Sequence, residues 1–167
     1  MTGRGFEIVT AYKDRDIHLP IRKTAKSAGY DLEAAETTVL APHAVTVVPT
    51  GLKAFMEGDE YLSIFIRSSL AFKKGLMLAN STGIVDSDYY NNEDNEGHIM
   101  IAYYNTNDVA YTIEKGDRIG QGIFMKYLTV NDDTAGAFVP AASAAPASNS
   151  FFKETTAGRG NLAGLLS

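Results

Sequence analysis

The chain has 167 residues, enough for one compact domain with a hydrophobic core, and its 45% apolar and 21% charged content is ordinary for a globular protein. It has no cysteine, which excludes disulfides and thiolate metal sites, and its three widely spaced histidines argue against zinc. The net charge of -5 without a cluster of Lys and Arg indicates no nucleic-acid partner, and no apolar run has the ~20 residues of a membrane span. We therefore expect a cytoplasmic protein.

Gly and Pro punctuate the chain at short intervals and separate short runs of β-branched and aromatic residues. The runs predict strands at 44–48, 61–66, 98–104 and 118–128. Only one short helix is expected, after Ser68-Ser69, where a hydroxyl could cap the first turn. Many short strands between turns favour an all-β sandwich or barrel.

The end of the chain differs from the rest in composition. Residues 131–152 are rich in Ala, Ser and Pro, which is typical of a flexible tether. We predict a β domain over 1–130, this tether, and a C-terminal arm over 153–167. Composition alone leaves open whether the arm docks elsewhere, on another subunit for example, or is a frayed tail.

The segment 80–89, NSTGIVDSDY, carries the strongest chemical signal. Asp86 and Asp88 follow a glycine turn and stand beside an aromatic residue. A solvated acidic turn is the ordinary interpretation of such a pair, but the apolar Ile84 and Val85 before it indicate that the acids are held at a strand end. A carboxylate fixed there could activate a water as a general base.

Three other segments add polar groups beside turns. AGYDL (28–32) carries Asp31, and IRSSLAFKKG (66–75) offers Arg67, two hydroxyls and successive backbone N–H groups, which suit either a phosphate cradle or a simple helix cap. KGDRIGQ (115–121) adds Arg118 and Gln121 after Lys115-Gly116-Asp117, a turn typical of a hairpin.

In this order the segments resemble the motifs of the trimeric dUTPase family: AGYDL the first, RSSLA the second, NSTGIVDSDYY the third and GDRIGQ the fourth. The resemblance runs from about residue 28 to residue 128, and its third motif is the specific one. It implies an all-β fold of distorted β-barrel or jelly-roll type with one short helix. It also implies a homotrimer with shared active sites that hydrolyses dUTP to dUMP and pyrophosphate with Mg²⁺.

Matched position by position, the third motif would bind the nucleoside and activate the water. Asp86 would orient the attacking water, and Tyr89 would lie against the deoxyribose and leave no room for a 2′-hydroxyl. Asn80 and the backbone of the hairpin that it begins, through Gly83, would bind the uracil edge.

The other motifs would bind the triphosphate. Ser68, with the Ser69 amide and Arg67 beside it, would contact the bridge between the α- and β-phosphates, and Gln121 would bind phosphate. Asp31 would help to place the water shell of a metal ion held mainly by the triphosphate. In-line attack on the α-phosphorus needs these donors and Mg²⁺ to absorb the developing charge.

Two segments depart from the family pattern. Residues 90–96, YNNEDNE, stand between Tyr89 and Gly97, where the third motif normally closes quickly, and we expect them to form a loop. In the fifth motif, Arg159 fits as a phosphate-binding residue, but Leu162 stands where an aromatic residue should cover the uracil. Candidates for the missing ring are Tyr90, Phe151 and Phe152.

Two alternative functions fit part of this pattern. The dCTP deaminase family shares the fold and the second motif, but it needs a glutamate where this chain has Ala102, in the strand after the third motif. A phage-type regulatory or interaction protein that resembles dUTPases but has little or no activity is the other alternative. Intact Asp86, Tyr89 and Gln121 favour the enzyme, because a binding module has no need for them.

Overall fold

The computed structural model describes residues 3–131, 133 and 135, and these form a mainly-β structure with one α-helix. The strands are β1 (Gly5–Ile8), β2 (Tyr30–Glu33), β3 (Thr38–Leu40), β4 (Val45–Pro49), β5 (Leu52–Phe55), β6 (Glu60–Ile66), β7 (Leu76–Leu78), β8 (Gly83–Asp86), β9 (Met100–Asn105), β10 (Tyr111–Ile113) and β11 (Arg118–Lys126). The helix α1 spans Ser68–Lys74, and 3₁₀ turns occupy Thr10–Tyr12 and Ser87–Tyr89. Among these residues no helix is both long and apolar enough to cross a membrane.

The strands pair antiparallel in open sheets. A four-stranded sheet has the order β2-β11-β6-β8, a three-stranded sheet the order β4-β9-β7, and β1-β5 and β3-β10 form two-stranded ribbons. No sheet closes into a barrel over the described part of the chain. The prediction of an all-β fold with one short helix is confirmed, and the jelly-roll alternative describes it better than a barrel.

Side chains from the two larger sheets meet in one hydrophobic core. Leu62 and Ile64 from β6 are almost completely buried, as are Ile101 and Tyr103 from β9. The Tyr103 hydroxyl donates a hydrogen bond to the carbonyl of Ile119 in β11, and burial raises the pKa of this phenol well above its usual range. A buried hydroxyl with a partner ties the sheets together at a fixed register, because leaving the carbonyl unpaired would cost about 1–3 kcal/mol.

The helix begins differently from the sequence prediction. Ser68 is the first helical residue, the N-cap is Arg67 with extended backbone (φ -75°, ψ 137°), and no side chain caps the turn. The expected hydroxyl cap is therefore wrong. The side chains of Ser68 and Ser69 are exposed and make no capping bond to the helix; they line the cavity described below.

Two turns join different sheets and are not hairpins. The turn at Lys115–Asp117 forms as expected, with the Asp117 amide bonded to the Glu114 carbonyl at 3.0 Å. However, β10 pairs with β3 while β11 pairs with β2 and β6. The turn after Asn80 likewise joins β7 and β8, which lie in different sheets. Both hairpin predictions are wrong, because turn residues report local backbone geometry and carry no information on strand partners.

The eleven strands of the described residues lie in one compact unit that ends at Leu128. Apart from residues 131, 133 and 135, the predicted tether and the C-terminal arm lie outside the described residues. The predicted boundaries of the tether and arm stay predictions.

Candidate active site

One cavity of about 290 Å³ gathers residues of the first, second and fourth motifs at one end of the four-stranded sheet. Gln121 in β11 stands between Asp31 in β2 and Phe65 in β6, its partners in the strand register. Because α1 starts directly after β6, the helix brings Ser68 and Ser69 to the same place. This basic cavity is lined by Lys23, Ser27, Gly29, Asp31, Arg67, Ser68, Ser69 and Gln121.

The Asp31 carboxylate is held between two guanidinium groups. Arg67 Nε lies 3.6 Å from Asp31 Oδ1, and Arg118 Nη1 donates to Asp31 Oδ2 at 3.2 Å. Arg67 also donates to the Arg118 carbonyl at 3.4 Å. Lys23 and Arg67 line the cavity against the single carboxylate of Asp31, which gives the cavity an excess of positive charge that suits an anionic ligand.

Gly29 lets Gln121 occupy its position. A Cβ atom at residue 29 would lie 2.7 Å from the Gln121 Oε1 atom and 3.0 Å from its Cβ atom, closer than non-bonded atoms approach. The glycine of the first motif and the glutamine of the fourth therefore fit as a pair. The missing side chain at residue 29 leaves room for the Gln121 side chain beside the cavity.

A second cavity, of about 220 Å³, gathers the third motif. Asp86 is the last residue of β8 and its side chain is exposed, so the carboxylate is at a strand end, as the sequence predicted. Tyr89 follows in a 3₁₀ turn and packs against the core. This Asp86 cavity is lined by Ile64, Asn80, Gly83, Ile84, Val85, Asp86, Asp88, Tyr89, His98, Ile99 and Met100.

The Tyr89 hydroxyl has two hydrogen-bond partners on the far side of its ring. It donates to the His98 carbonyl at 3.1 Å and accepts from the Asn95 side-chain amide at 2.6 Å. With both bonds made, the ring is held at its tip as well as at its backbone, so it forms a fixed wall of the cavity.

His98 is a half-buried neutral imidazole in the same wall. Its Nε2 atom accepts a hydrogen bond from the Gly51 amide at 2.9 Å, and its ring lies 5.0 Å from that of Tyr12. Desolvation by burial lowers the pKa of His98, against weaker opposing charges from Glu36 and Glu96. An Nε2 that accepts a hydrogen bond cannot also carry a proton, so the geometry and the pKa direction agree.

The predicted site residues thus fall into two groups that share no lining residue. Asp31, Arg67, Ser68, Ser69 and Gln121 line the basic cavity, whereas Asn80, Gly83, Asp86 and Tyr89 line the Asp86 cavity.

Of the remaining candidates, only Tyr90 is described. Tyr90 lies outside the Asp86 cavity: its ring packs on Phe55, and its hydroxyl bonds to Glu7 at 2.7 Å. It is therefore not a ring that covers the cavity of its own chain. Arg159, Leu162, Phe151 and Phe152 lie outside the described residues.

Sequence reasoning missed several lining residues. Lys23 and Ser27 reach the basic cavity only through the path of the loop before β2, which no local pattern predicts. His98 lines the Asp86 cavity because residues 90–97 turn back on Tyr89. The one feature of the sequence that could have indicated His98 is its position at the start of a predicted strand, directly after the inserted loop.

The fold and the site define a mainly-β protein with two polar cavities, one of them basic, and comparison with known proteins identifies its family. A family model described as dUTPase matches residues 15–137. The deoxyuridine 5′-triphosphate nucleotidohydrolase of Lactococcus lactis subsp. lactis is 52% identical over 130 residues, which cover 78% of this chain and 87% of that protein. The protein of the same name from Erwinia tasmaniensis is 38% identical over 122 residues, covering 71% and 76%.

Solved structures agree with this result. The crystal structure of dUTPase from Streptococcus mutans is 49% identical and matches with a TM-score of 0.73, covering 76% of this chain and 98% of that one. The dUTPase of Staphylococcus bacteriophage 80alpha, 21% identical with a TM-score of 0.66 over 81% of this chain and 97% of that one, shares the fold. This chain belongs to the dUTPase family.

The His98 geometry predicts acid sensitivity. Because the pKa of His98 is below its ordinary value of 6.5 in the folded state, the unfolded chain binds the proton first as pH falls. The contribution to stability is present above pH 6.5 and is lost as pH falls through the lowered pKa. We expect the free energy of unfolding from urea titrations to fall from about pH 7 to about pH 5, by at most ~1.4 kcal/mol per pH unit for this one group.

The control for this measurement is His98→Gln, which keeps an acceptor for the Gly51 amide but does not titrate. Its free energy of unfolding should vary less steeply with pH than that of the wild type over the same range. Parallel pH profiles for the two proteins would contradict the assignment.

Proposed function

We propose that this chain hydrolyses dUTP to dUMP and pyrophosphate through attack of a water molecule on the α-phosphorus. The observation that carries the proposal is the pair of cavities. One is basic and hydroxyl-rich, and the other combines an exposed carboxylate at a strand end with a fixed aromatic wall. A 52% identical relative carries the name deoxyuridine 5′-triphosphate nucleotidohydrolase, which names the same chemistry.

In the Asp86 cavity, the nucleoside would bind against Tyr89. Asp86 accepts a proton from the attacking water and orients the lone pair of the water oxygen toward the α-phosphorus. The Tyr89 ring occupies the space beside C2′ of the deoxyribose, so a 2′-hydroxyl would clash with it. Asn80 and the backbone from Asn80 to Gly83 supply donors and acceptors for the uracil edge, and the apolar Ile64 and Met100 bury its faces.

In the basic cavity, the triphosphate would bind to donors that are already in position. The Ser68 hydroxyl and the Ser69 amide contact the bridge between the α- and β-phosphates, while Arg67 and Gln121 bind phosphate oxygens. These groups stabilise the charge that builds on the leaving pyrophosphate. Arg159, by its resemblance to the start of the fifth motif, would add a charge-assisted contact to the γ-phosphate.

The donor set of the basic cavity fits a magnesium ion held mainly by the substrate. Within residues 3–131, 133 and 135 there is no group of three or more carboxylate or histidine side chains that could hold a metal. Asp31 is a single, largely buried carboxylate at the cavity, and Mg²⁺ commonly binds through one carboxylate, waters and phosphate oxygens. Asp31 would therefore hold waters of the ion, which when bound neutralises phosphate charge.

The distance between the cavities supports active sites shared between subunits. Asp86 pairs with Tyr61 near the start of β6, and Ser68 follows the end of that strand. From Tyr61 to Ile66 the strand rises roughly 17 Å. A general base acts through one water, with contacts of roughly 3 Å on each side. Asp86 and Ser68 of one chain are therefore too far apart to act on the same phosphate.

An apolar sheet face supports assembly with further copies of the chain. The outer face of the three-stranded sheet carries side chains that are about half exposed: Val45, Val47, Met77 and Met100, with Ala102 and Tyr104 between them. An apolar face of this kind marks an interaction surface. Met100 also lines the Asp86 cavity. A second copy seated on this face would bring its own groups to that cavity, and a closed ring of three copies would complete three such sites.

Substrate selection tests the proposed reaction. With Mg²⁺, the purified protein should release pyrophosphate from dUTP and prefer it over UTP, dTTP and dCTP. Rejection of a group that clashes or leaves polar atoms unpaired reaches about 10⁴–10⁵-fold in kcat/KM. Comparable turnover of UTP would overturn the role given to the Tyr89 wall. Ammonia release from dCTP would instead identify a deaminase.

The role of Asp86 has its own test. Asp86→Asn keeps the shape of the side chain but removes the base, so kcat for dUTP should fall about 10²- to 10⁴-fold with nucleotide binding retained. The matched control is Asp14→Asn, an exposed acid outside both cavities, which should leave kcat unchanged. Near-normal kcat in Asp86→Asn would transfer the role to another group, and Asp88 would be tested next.

A further inference from the structure

The inserted residues 90–96 are folded back onto Tyr89. The Asn95 side-chain amide donates to the Tyr89 hydroxyl at 2.6 Å, and the Asn92 side-chain amide donates to the Tyr89 carbonyl at 2.8 Å. The insert therefore holds both the tip of the Tyr89 ring and its backbone. It is part of the wall of the Asp86 cavity and not a free loop.

The orientation of the Asn95 amide is determined by its neighbours. Its oxygen accepts from the Gly97 amide at 3.0 Å and from the Asn92 side chain at 2.9 Å. With the oxygen bound to two donors, the nitrogen must face the Tyr89 hydroxyl, which in turn donates to His98. Each bond in this chain of hydrogen bonds can have its donor and acceptor assigned in only one way, so the Tyr89 ring has one favoured position.

A buried lysine anchors the insert to the body of the domain. Lys53 in β5 is only 6% exposed, and its ammonium group donates to Asn91 at 2.6 Å and to Glu96 at 2.7 Å. Glu96 also accepts from the Thr10 amide at 2.9 Å. The bond from Lys53 lowers the pKa of Glu96 to about 2. A buried ammonium must keep its partners, so the insert is held in place at both neutral and mildly acidic pH.

Gly97 lets the chain pass close to Tyr89 at the end of the insert. A Cβ atom at residue 97 would lie 2.6 Å from the Tyr89 carbonyl oxygen, and the backbone φ of +80° is one that side chains disfavour. The chain therefore passes directly against Tyr89 as it leaves the insert.

We propose that Asn95 is a positioning residue that sets the selection of deoxyribonucleotides over ribonucleotides, by holding the Tyr89 ring where a 2′-hydroxyl would stand. A wall excludes a single oxygen atom only if it cannot move by about one ångström. The inference rests on the proposed function, since it gives Tyr89 the sugar-binding role. It extends that role to an insert that the family pattern does not contain.

The test compares kcat and KM for dUTP and UTP in the wild type, in Asn95→Ala and in Asp94→Ala. Asp94 stands in the same insert, and over residues 3–131 its side chain makes no hydrogen bond, so it is a matched control. Asn95→Ala should lower the preference for dUTP over UTP about 2- to 13-fold, the equivalent of one hydrogen bond, mainly through a lower KM for UTP. Asp94→Ala should keep the wild-type preference.

Tyr89→Phe separates positioning from a general loss of structure. It removes the hydroxyl and with it the bonds to both Asn95 and His98, so it should lower the preference by at least as much as Asn95→Ala does. Adding Asn95→Ala to it should change little, because the bond from Asn95 to Tyr89 is already lost. A variant that merely unfolds loses kcat equally for both nucleotides. If Asn95→Ala keeps the wild-type preference for dUTP over UTP, the inference is overturned. It is also overturned if Asn95→Ala lowers this preference by the same factor in the Tyr89→Phe background as in the wild type. A wild type that does not hydrolyse dUTP overturns the proposed function instead.

Discussion

The pairing of β6 with β8 on one side and β11 on the other determines where each proposed catalytic group lies. The register puts Gln121 opposite Phe65, close to the end of β6, and Asp86 opposite Tyr61, close to its start. A strand is stiff and its length is set by residue number, so the two groups cannot approach within one chain. The same pairing that builds the core therefore divides the proposed active site between two places on the chain.

Two kinds of contact hold the residues of the two cavities in position. In the basic cavity, Arg67 and Arg118 compensate the Asp31 carboxylate, so the groups are in position before any ligand binds. At the Asp86 cavity, neutral hydrogen bonds fix Tyr89, and the Lys53–Glu96 pair anchors the insert that supplies one of them. Groups fixed in advance do not have to be ordered during the reaction, which is where such sites gain rate and selectivity.

The sequence predicted which segments form strands, and which residues belong to the site, better than it predicted which strands pair with each other. Alternating apolar residues located β6, and the motif resemblance picked out Ser68, Asp86 and Gln121, which the structure brings to cavities. Two turns were mistaken for hairpins, because turn residues specify local dihedral angles only. The links from Lys53 to Glu96 and from Gly29 to Gln121 join residues far apart in sequence, and no local pattern indicates them.

The central claim, that each active site combines Asp86 of one subunit with the basic cavity of another, has a direct test by subunit mixing. Asp86→Asn and the double variant Ser68→Ala/Gln121→Ala are unfolded together in equal amounts, refolded, and assayed for pyrophosphate release from dUTP. Each alone should be nearly inactive. The mixture should recover about a quarter of the wild-type rate, because each site draws its two halves independently. A mixture no more active than the average of its two components would contradict the shared site.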